Sequence, residues 1–320
     1  MKRDFTILDV SLRDGSHSVR HAFTEEQVRA TAKGLNAAGV RYFEVSHGDG
    51  LGGSSLQYGF SATDELKLIE VAASECTTSE VAVLLIPGIG TKHDLQNAVK
   101  AGAKMVRVAT HVTEADVAAQ HIQLARELGL KTAGFLMMAK LFESYGAEIV
   151  YVTDSAGAML PQDVTARITA LREELRCEIG FHAHNNLSMA MANTIAAVEA
   201  GATFIDGSMR ALGAGAGNTQ TEVMVAVLEK MGYHTGIDLY QLMNTANHVI
   251  APLMQQPQEI TGGSLILGNA GVYSSFLLHA QKAAQQYGID ERDILMKLGE
   301  MRAVGGQEDL IYEVAQTLAR

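Results

Sequence analysis

The chain has 320 residues, enough for one large or two smaller domains, and its 47% hydrophobic and 19% charged residues are typical of a globular protein. Its net charge of −11 argues against a nucleic-acid-binding surface, which needs clustered lysine and arginine. The two cysteines, Cys76 and Cys177, form no CxxC motif, so we expect a reducing, cytoplasmic setting. The N-terminus lacks a signal-peptide core and the longest apolar run, 81–86, cannot span a bilayer, so we expect no membrane association.

Short β-branched, apolar runs alternate with helical patterns along the first part of the chain. Continuous apolar character is typical of strands buried on both faces of a parallel sheet. Eight βα units in about 235 residues predict a (β/α)8 TIM barrel, an α/β fold. An open doubly wound sheet is the alternative, but no GxGxxG motif follows the first strand. The candidate strands are residues 5–12, 42–46, 81–86, 105–109, 132–137, 149–153, 178–182 and 204–206.

Capping residues and glycines mark helix boundaries between several of these strands. Thr24 and Gln27 have the spacing of a capping box, and Gly39 follows the last turn of the helix that they begin. Similar signals predict helices over residues 113–129 and 187–200, the second closed by a glycine.

The connection after the fifth predicted strand is shorter than a normal crossover between parallel strands. Only about ten residues separate the strands near Met138 and Ile149, whereas a parallel crossover usually needs a dozen or more. Either the barrel is deformed at this point, or a piece of chain is missing from the sequence. We assign Met137 and Met138 to the core.

The βα alternation stops after Gly236, so we divide the chain into a barrel domain, 1–235, and a helical C-terminal extension, 236–320. The apolar residues Phe276, Leu277 and Leu278 could form the core of this extension or a surface for a partner. Its predicted helices cover residues 240–254, 270–287, 290–299 and 307–320.

Two histidines lie at the end of the seventh predicted strand, in the segment FHAHNNLS. Because strand side chains alternate between faces, His182 and His184 point the same way. The carboxyl ends of all barrel strands meet in one bowl, where Asp14 follows the first strand. An isolated HxH can be a hydrogen-bonding surface, and Asp14-Gly15 can be a simple turn. Two imidazoles and a carboxylate together favour a catalytic Mn, Fe, Co or Zn ion.

Arg13 and His17 lie close to Asp14 in sequence and could extend this chemistry. A guanidinium beside a metal can hold an oxyanion, although Arg13 could equally form a salt bridge to Asp14 or another acid. An imidazole at His17 can move protons near neutral pH, or it can be an exposed loop histidine. We assign no role to the remaining histidines, although His47 and His111 also lie at strand ends.

Two loops could contact a ligand. Ser155, in Asp154-Ser155-Ala156-Gly157, offers a hydroxyl or backbone amide to a carboxylate, unless this is only a β-to-α turn. The glycines of 213–217 permit close backbone approach, but no lysine follows them as in a P-loop. No nucleophile elbow is present, which argues against a covalent hydrolase.

The segments Ser11-Leu12-Arg13-Asp14-Gly15 and His182-Ala183-His184-Asn185-Asn186 resemble the DRE-TIM metallolyase superfamily. The match is closer still to its 4-hydroxy-2-oxovalerate aldolase family and runs along nearly the whole chain. That family has a longer segment between Met138 and Ala139, so we expect a mobile loop and the start of a helix to be missing here. Further matching segments are 47–51, 85–91, 109–111, 143–147, 213–218, 270–276 and 304–309.

The resemblance implies a divalent-metal-dependent (class II) aldolase that cleaves 4-hydroxy-2-oxopentanoate to pyruvate and acetaldehyde, in the catabolism of aromatic compounds or sterols. It implies that Asp14, His182 and His184 bind the ion, usually Mn²⁺. It also implies that Arg13 stabilises the transition state and that His17 is the catalytic base.

The same resemblance implies the substrate contacts and the partner. Ser155 and Tyr273 contact the substrate, Tyr273 also takes part in catalysis, and Arg13, Asp14 and His182 complete the substrate site. An acylating acetaldehyde dehydrogenase is the expected partner, in a heterotetramer, docked on the helical extension and receiving acetaldehyde through a tunnel.

Two other functions stay open from the sequence. A Claisen-type synthase of the same superfamily, such as a citramalate or isopropylmalate synthase, would use acetyl-CoA. A non-catalytic scaffold that kept the barrel is the third hypothesis, but such a protein is expected to lose Arg13, Asp14 or the histidines, and all are present.

Overall fold

A computed structural model describes residues 5–110, 116–135 and 139–320. Eight parallel strands follow one another around a closed barrel, in which β1 pairs with both β2 and β8. The predicted (β/α)8 fold and its eight strands are confirmed. The strands are β1 Thr6–Asp9, β2 Tyr42–Glu44, β3 Glu80–Leu85, β4 Met105–Ala109, β5 Lys131–Phe135, β6 Ile149–Asp154, β7 Glu178–Ala183 and β8 Phe204–Gly207.

Helices surround the barrel, and the predicted capping box of Thr24 and Gln27 and the left-handed cap at Gly39 are present on α2. The barrel helices are α1 Gly15–Ser18, α2 Glu25–Ala38, α3 Glu65–Ser74, α4 Lys92–Ala101, α5 Ala118–Glu127, α6 Ala139–Tyr145, α7 Pro161–Glu174, α8 Ala190–Ala200, α9 Thr221–Lys230 and α10 Leu239–Thr245. A π-helical turn, Ala246–Ile250, and the short 3-10 turns Met209–Ala211 and Ala251–Leu253 complete this part. The C-terminal helices are α11 Gly262–Ala270, α12 Phe276–Tyr287, α13 Glu291–Glu300 and α14 Asp309–Leu318.

The first strand is shorter than predicted. It ends at Asp9, whose carboxylate accepts a hydrogen bond from the Ser11 backbone N–H at 2.9 Å. The chain then turns, with the Asp14 backbone N–H donating to the carbonyl of Val10 at 2.9 Å. Local hydrogen bonds thus replace the sheet ladder and aim residues 11–14 into the bowl.

The prediction of one helix over residues 270–287 is wrong. Helix α11, which the sequence did not indicate, ends at Ala270, and Gly271 takes the left-handed conformation with φ of +69°. Helix α12 begins only at Phe276. Tertiary hydrogen bonds of Ser274 hold the intervening segment out of helical geometry, as described below.

Two other predicted helices start later than expected. The helix predicted from residue 187 begins at Ala190, because Ser188 closes a turn onto the Asn185 carbonyl at 2.9 Å. Helix α5 begins at Ala118, and residues 111–115, which include His111, lie outside the described residues.

The short unit after β5 contains α6, a helix of seven residues. Fully buried Phe142 packs against β5 at Gly134, where a Cβ atom would come within 1.8 Å of the Phe142 ring. The glycine lets a shortened helix cover the barrel wall. Met137 and Met138 lie outside the described residues.

Separate hydrophobic clusters in the barrel and in the C-terminal helices underlie the division of the chain. Apolar residues as late as Leu242, Ala246 and Ile250 pack in the core between the barrel strands and helices, while a separate cluster begins at Leu267. The division therefore remains a proposal, and these cores favour a boundary nearer 255 than 236. Phe276 and Leu277 are buried in the second cluster, whereas Leu278 is 44% exposed. Among the described residues, no helix combines the length and apolar character needed to cross a membrane.

Candidate active site and metal centre

The three predicted metal ligands meet at the carboxyl end of the barrel. Asp14 precedes α1, His182 lies in β7, and His184 directly follows that strand. The Asp14 Oδ2 atom lies 3.6 Å from His182 Nε2 and 3.7 Å from His184 Nε2, and the two Nε2 atoms are 3.4 Å apart. All three side chains are buried. The spatial premise of the sequence-based hypothesis therefore holds.

The hydrogen bonds of both imidazoles present their Nε2 lone pairs to this centre. His182 Nδ1 lies 2.8 Å from the Asp206 carboxylate and His184 Nδ1 lies 3.3 Å from the carbonyl of Ala214. Because a carboxylate and a carbonyl only accept, each Nδ1 carries the proton and each Nε2 keeps its lone pair. Ligands about 2.0–2.2 Å from one ion are separated by roughly 3.0–3.6 Å, close to the distances observed. The residues present fit a divalent ion.

The charges at this centre also suit a metal. Burial would raise the pKa of Asp14, but Arg13, His184 and His182 lower it below its ordinary value, so the carboxylate stays ionised. Burial lowers the pKa of His184 to about 4, against the opposing charge of Asp14. An ionised carboxylate and a neutral imidazole are the protonation states that metal ligation requires.

Arg13 lies beside the three ligands and is fixed by two carboxylates. Its Nη1 donates to Asp14 Oδ2 at 2.6 Å and its Nε donates to Glu44 Oε2, also at 2.6 Å. Burial alone would lower the pKa of Arg13, but Glu44 and Asp14 raise it. The salt bridge considered from sequence is therefore present, and it orients the guanidinium at the edge of the candidate metal centre.

A buried ionic network inside the barrel escaped the sequence analysis. Arg107 donates to Glu44 at 3.2 Å and also to Asp206, and its guanidinium lies over the rings of Phe135 and Tyr151 at 4.2 and 4.5 Å. Asp206 is the same residue that orients His182. A charged residue within an otherwise apolar strand, as in MVRVA, is the signal that could have identified this network.

The glycine-rich loop predicted to approach a ligand lies against the candidate metal ligands. The Ala214 backbone N–H donates to Asp14 Oδ1 at 3.1 Å. A Cβ atom at Gly213 would lie 1.8 Å from Asn218 Oδ1 and 3.0 Å from Asp14 Oδ1, so the position requires glycine. The Asn218 Nδ2 atom lies 3.2 Å from His182 Nε2, so an ion would displace this amide contact. The Asn218 Oδ1 atom is buried and has no hydrogen-bond partner among the described residues. A buried amide oxygen next to the ligands is a further feature that an ion would satisfy.

His17, in α1, is buried close enough to Asp14 for its charge to lower the pKa of that carboxyl. A Cβ atom at Gly48 would lie 2.6 Å from two atoms of the His17 ring. The loop after β2 therefore packs tightly against the imidazole and holds it in the bowl.

Tyr273 reaches the site from the C-terminal helices. Its neighbour Ser274 donates to the Ser155 carbonyl through both the hydroxyl, at 2.7 Å, and the backbone N–H, at 3.1 Å. The Asn186 amide donates to the Ser274 hydroxyl at 2.8 Å. Burial and the charge of Asp49 raise the pKa of Tyr273, against the opposing effect of Arg13. The structure thus brings Tyr273 near Arg13, while Ser155 meets this segment through its backbone carbonyl.

Two family models together match most of the chain. A model described as HMGL-like matches residues 4–249, and a model described as a DmpG-like communication domain matches residues 258–320.

Close relatives match along their full length. A protein named 4-hydroxy-2-oxovalerate aldolase from Bacillus thuringiensis (strain Al Hakam) is 62% identical over 331 positions, which cover 100% of this chain and 97% of the relative. A protein of the same name from Carboxydothermus hydrogenoformans is 54% identical, with 100% of this chain and 99% of the relative covered. The 331 aligned positions exceed the 320 residues of this chain, so the Bacillus relative has residues that the chain lacks.

Among solved structures, the carboxyl transferase domain of Rhizobium etli pyruvate carboxylase, with pyruvate and biocytin, superposes with a TM-score of 0.86. The match covers 99% of this chain and 61% of that chain at 16% identity, so it shows a shared fold alone.

Proposed function

Because the chain belongs to the 4-hydroxy-2-oxovalerate aldolase family, within the HMGL-like proteins, we propose that it cleaves 4-hydroxy-2-oxovalerate by a retro-aldol reaction. The observation that carries this proposal is the convergence of Asp14, His182 and His184 next to the fixed guanidinium of Arg13. A divalent ion held by these three residues would act as a Lewis acid toward the keto group of a 2-oxo acid. We propose Mn²⁺ as the physiological ion.

We assign the individual steps of the reaction to side chains of this protein. His17 takes the proton of the C4 hydroxyl, and the C3–C4 bond breaks as the C4 carbonyl of acetaldehyde forms. The electron pair of that bond moves into the pyruvate enolate, whose oxygen Arg13 stabilises as negative charge develops. Protonation at C3 then yields pyruvate, so the five carbons are divided between pyruvate and acetaldehyde.

Tyr273 and Ser155 complete the proposed substrate site. Because its pKa is raised by burial, the Tyr273 hydroxyl stays protonated at neutral pH and can donate a hydrogen bond. We propose that this hydroxyl donates a hydrogen bond to the substrate oxygen atoms that react near Arg13. The Ser155 hydroxyl is assigned to the substrate carboxylate, and its carbonyl, bound to Ser274, holds the Tyr273 segment in place.

Metal-dependent pyruvate release tests this function. Metal-stripped enzyme is supplied with 4-hydroxy-2-oxovalerate, or with longer homologues, and Mn²⁺, Mg²⁺, Co²⁺ or Zn²⁺, and lactate dehydrogenase reports pyruvate. A parallel reaction with pyruvate and acetyl-CoA measures free thiol. We expect pyruvate release with Mn²⁺ and no thiol release. Thiol release without cleavage of the hydroxy acid would establish a Claisen-type synthase instead, and inactivity in both reactions would refute the proposal.

We also propose that residues 258–320 dock an acylating acetaldehyde dehydrogenase in a heterotetramer, within the cytoplasm. This segment matches the DmpG-like communication domain and has its own hydrophobic cluster. Apolar side chains on its helices are exposed, among them Leu265 at 47%, Leu278 at 44% and Leu318 at 42%. Co-expression of the two proteins and light scattering of the purified complex test the assembly. A Leu278→Glu change should weaken it, whereas Leu56→Glu, at an exposed barrel loop, should not. Failure of the two proteins to co-purify would refute this partner.

A further inference from the structure

A second cluster with the same donor set as the first lies in the same bowl. It consists of His17 from α1, His21 from the loop before α2 and Asp49 from the loop after β2. All three side chains are buried, and one ligand atom from each lies within 4.8 Å of the others. Two imidazoles and one carboxylate again face one another.

The hydrogen bonds of His21 leave one nitrogen suited to ligation. Its Nδ1 lies 3.1 Å from the Ser16 hydroxyl, whereas its Nε2 lies beside the backbone of the loop after β2, 3.7 Å from where a Cβ atom at Gly59 would stand. The Ser16 hydroxyl can donate to Nδ1, so we assign the proton to Nε2 and the lone pair that would bind an ion to Nδ1. Burial, with the nearby His17 and His47, lowers the pKa of His21 to about 2, and the ring is therefore neutral at physiological pH.

His47 stands next to this cluster without a free ligand atom. Its Nδ1 accepts from the Asp49 backbone N–H at 3.1 Å, so its Nε2–H donates to the carbonyl of Gly59, also at 3.1 Å. Its ring stacks on the His21 ring with centroids 3.8 Å apart and so fixes the orientation of that imidazole.

Asp49 supplies a carboxylate that no side-chain cation neutralises. It is 8% exposed, and within the described ranges its nearest basic group is His47 Nδ1 at 3.6 Å, which is an unprotonated acceptor. No lysine or arginine forms an ion pair with it in the part of the chain that the structure describes. The backbone at Arg20 and His21 is also strained, with φ of +54° and +57°. Such strain persists where surrounding structure holds a side chain in a required position.

We propose that His17, His21 and Asp49 form a second, weaker metal site that takes a transition-metal ion with a preference for imidazole, such as Zn²⁺. Affinity is lower than at the first centre, because the hydrogen bond between the Ser16 hydroxyl and His21 Nδ1 must be broken before that nitrogen can bind an ion. Zn²⁺ binds such nitrogen ligands more tightly than Mn²⁺ does. Occupation removes the His17 lone pair, so it inhibits the enzyme; this consequence rests on the proposed function, whereas the binding does not.

Zinc stoichiometry tests the site without reference to activity. Metal-stripped protein is titrated with Zn²⁺ by calorimetry, with bound metal counted after dialysis. Wild type is expected to bind two ions and His21→Gln one, because glutamine keeps an N–H donor near the loop after β2 but removes the Nδ1 ligand. His248→Gln, a change at an exposed histidine, is expected to bind two ions, and His184→Gln is expected to lose the tighter ion while it keeps the weaker. A single ion in wild type, or two in His21→Gln, would overturn the proposal.

Inhibition is then measured on enzyme already loaded with Mn²⁺, relative to the zinc-free rate of each variant. We expect His21→Gln to need at least about tenfold more Zn²⁺ for half-inhibition than wild type or His248→Gln. Equal inhibition of all three would mean that Zn²⁺ acts at the first centre, and the inhibitory role would be wrong. If no protein cleaves the substrate, the proposed function fails, while the stoichiometry still decides whether the second site exists.

Discussion

Replacement of Asp206 by asparagine should weaken metal binding at a site that Asp206 does not itself ligate. The carboxylate accepts hydrogen bonds from His182 Nδ1 at 2.8 Å and from Arg107. Both donors contact the same oxygen, Oδ2, so asparagine places there either a neutral amide oxygen, which is a weaker acceptor than a carboxylate, or an N–H₂ group. When the N–H₂ group faces His182, the imidazole proton must move to Nε2, and the lone pair that would bind the ion is lost.

Removing the residue that accepts a hydrogen bond from a metal-binding histidine typically weakens metal affinity about 10–100-fold, or roughly 1.4–2.7 kcal/mol. We expect a loss of Mn²⁺ affinity in this range for Asp206→Asn. Arg107 keeps Glu44 as a buried partner at 3.2 Å, so we expect the barrel to remain folded. The measurement is the dissociation constant of Mn²⁺ by calorimetry, with a thermal unfolding curve for each protein.

Asp9→Asn is the matched control. Asp9 is an equally buried carboxylate at the end of β1, but its partners are Ser11 and Thr221 and not a metal ligand. The affinity of the Asp9→Asn variant for Mn²⁺ should equal that of wild type. A folded Asp206→Asn variant whose dissociation constant stays within about twofold of wild type would show that Asp206 does not set the His182 tautomer.

Four further outcomes are expected. Arg13→Ala should lower kcat by at least about 10²–10³-fold while the fold survives, since an oxyanion partner is lost; normal turnover would contradict its role. His17→Ala should lower the cleavage rate by about 10²–10⁴-fold with little change in Mn²⁺ affinity, whereas equal loss of both would make His17 a ligand or a structural residue. Gly48→Ala should lower kcat by displacing the His17 ring, which a Cβ would approach within 2.6 Å; an unchanged rate would show that the ring position is unimportant. Burial raises the pKa of Asp9 from 3.8 to about 6, so its contribution to stability is present below pH 3.8 and is lost as the pH rises to about 6. Asp9→Asn should therefore be more stable than wild type at pH 7.5, by up to about 3 kcal/mol, and a urea titration showing no difference between the two proteins at that pH would contradict this.

The barrel and the convergence of the three candidate metal ligands could be predicted from the sequence because they depend on local patterns and one topological rule. Apolar runs bounded by turn residues located all eight strands. Alternation along β7 placed His182 and His184 on one face, and the common end of parallel strands brought Asp14 to them. None of these inferences required knowledge of how side chains pack.

What only the tertiary structure decided depends on contacts between segments that are distant in sequence. Arg107 meets Asp206 across the barrel interior, and Asp206 in turn accepts from His182 Nδ1, which leaves the imidazole lone pair on Nε2. Tyr273 leaves the predicted helix because Ser274 bonds to Ser155, 119 residues earlier. Histidine tautomers and buried ion pairs depend on how the interior packs. The pattern of residues along the sequence does not indicate which donor will meet which acceptor.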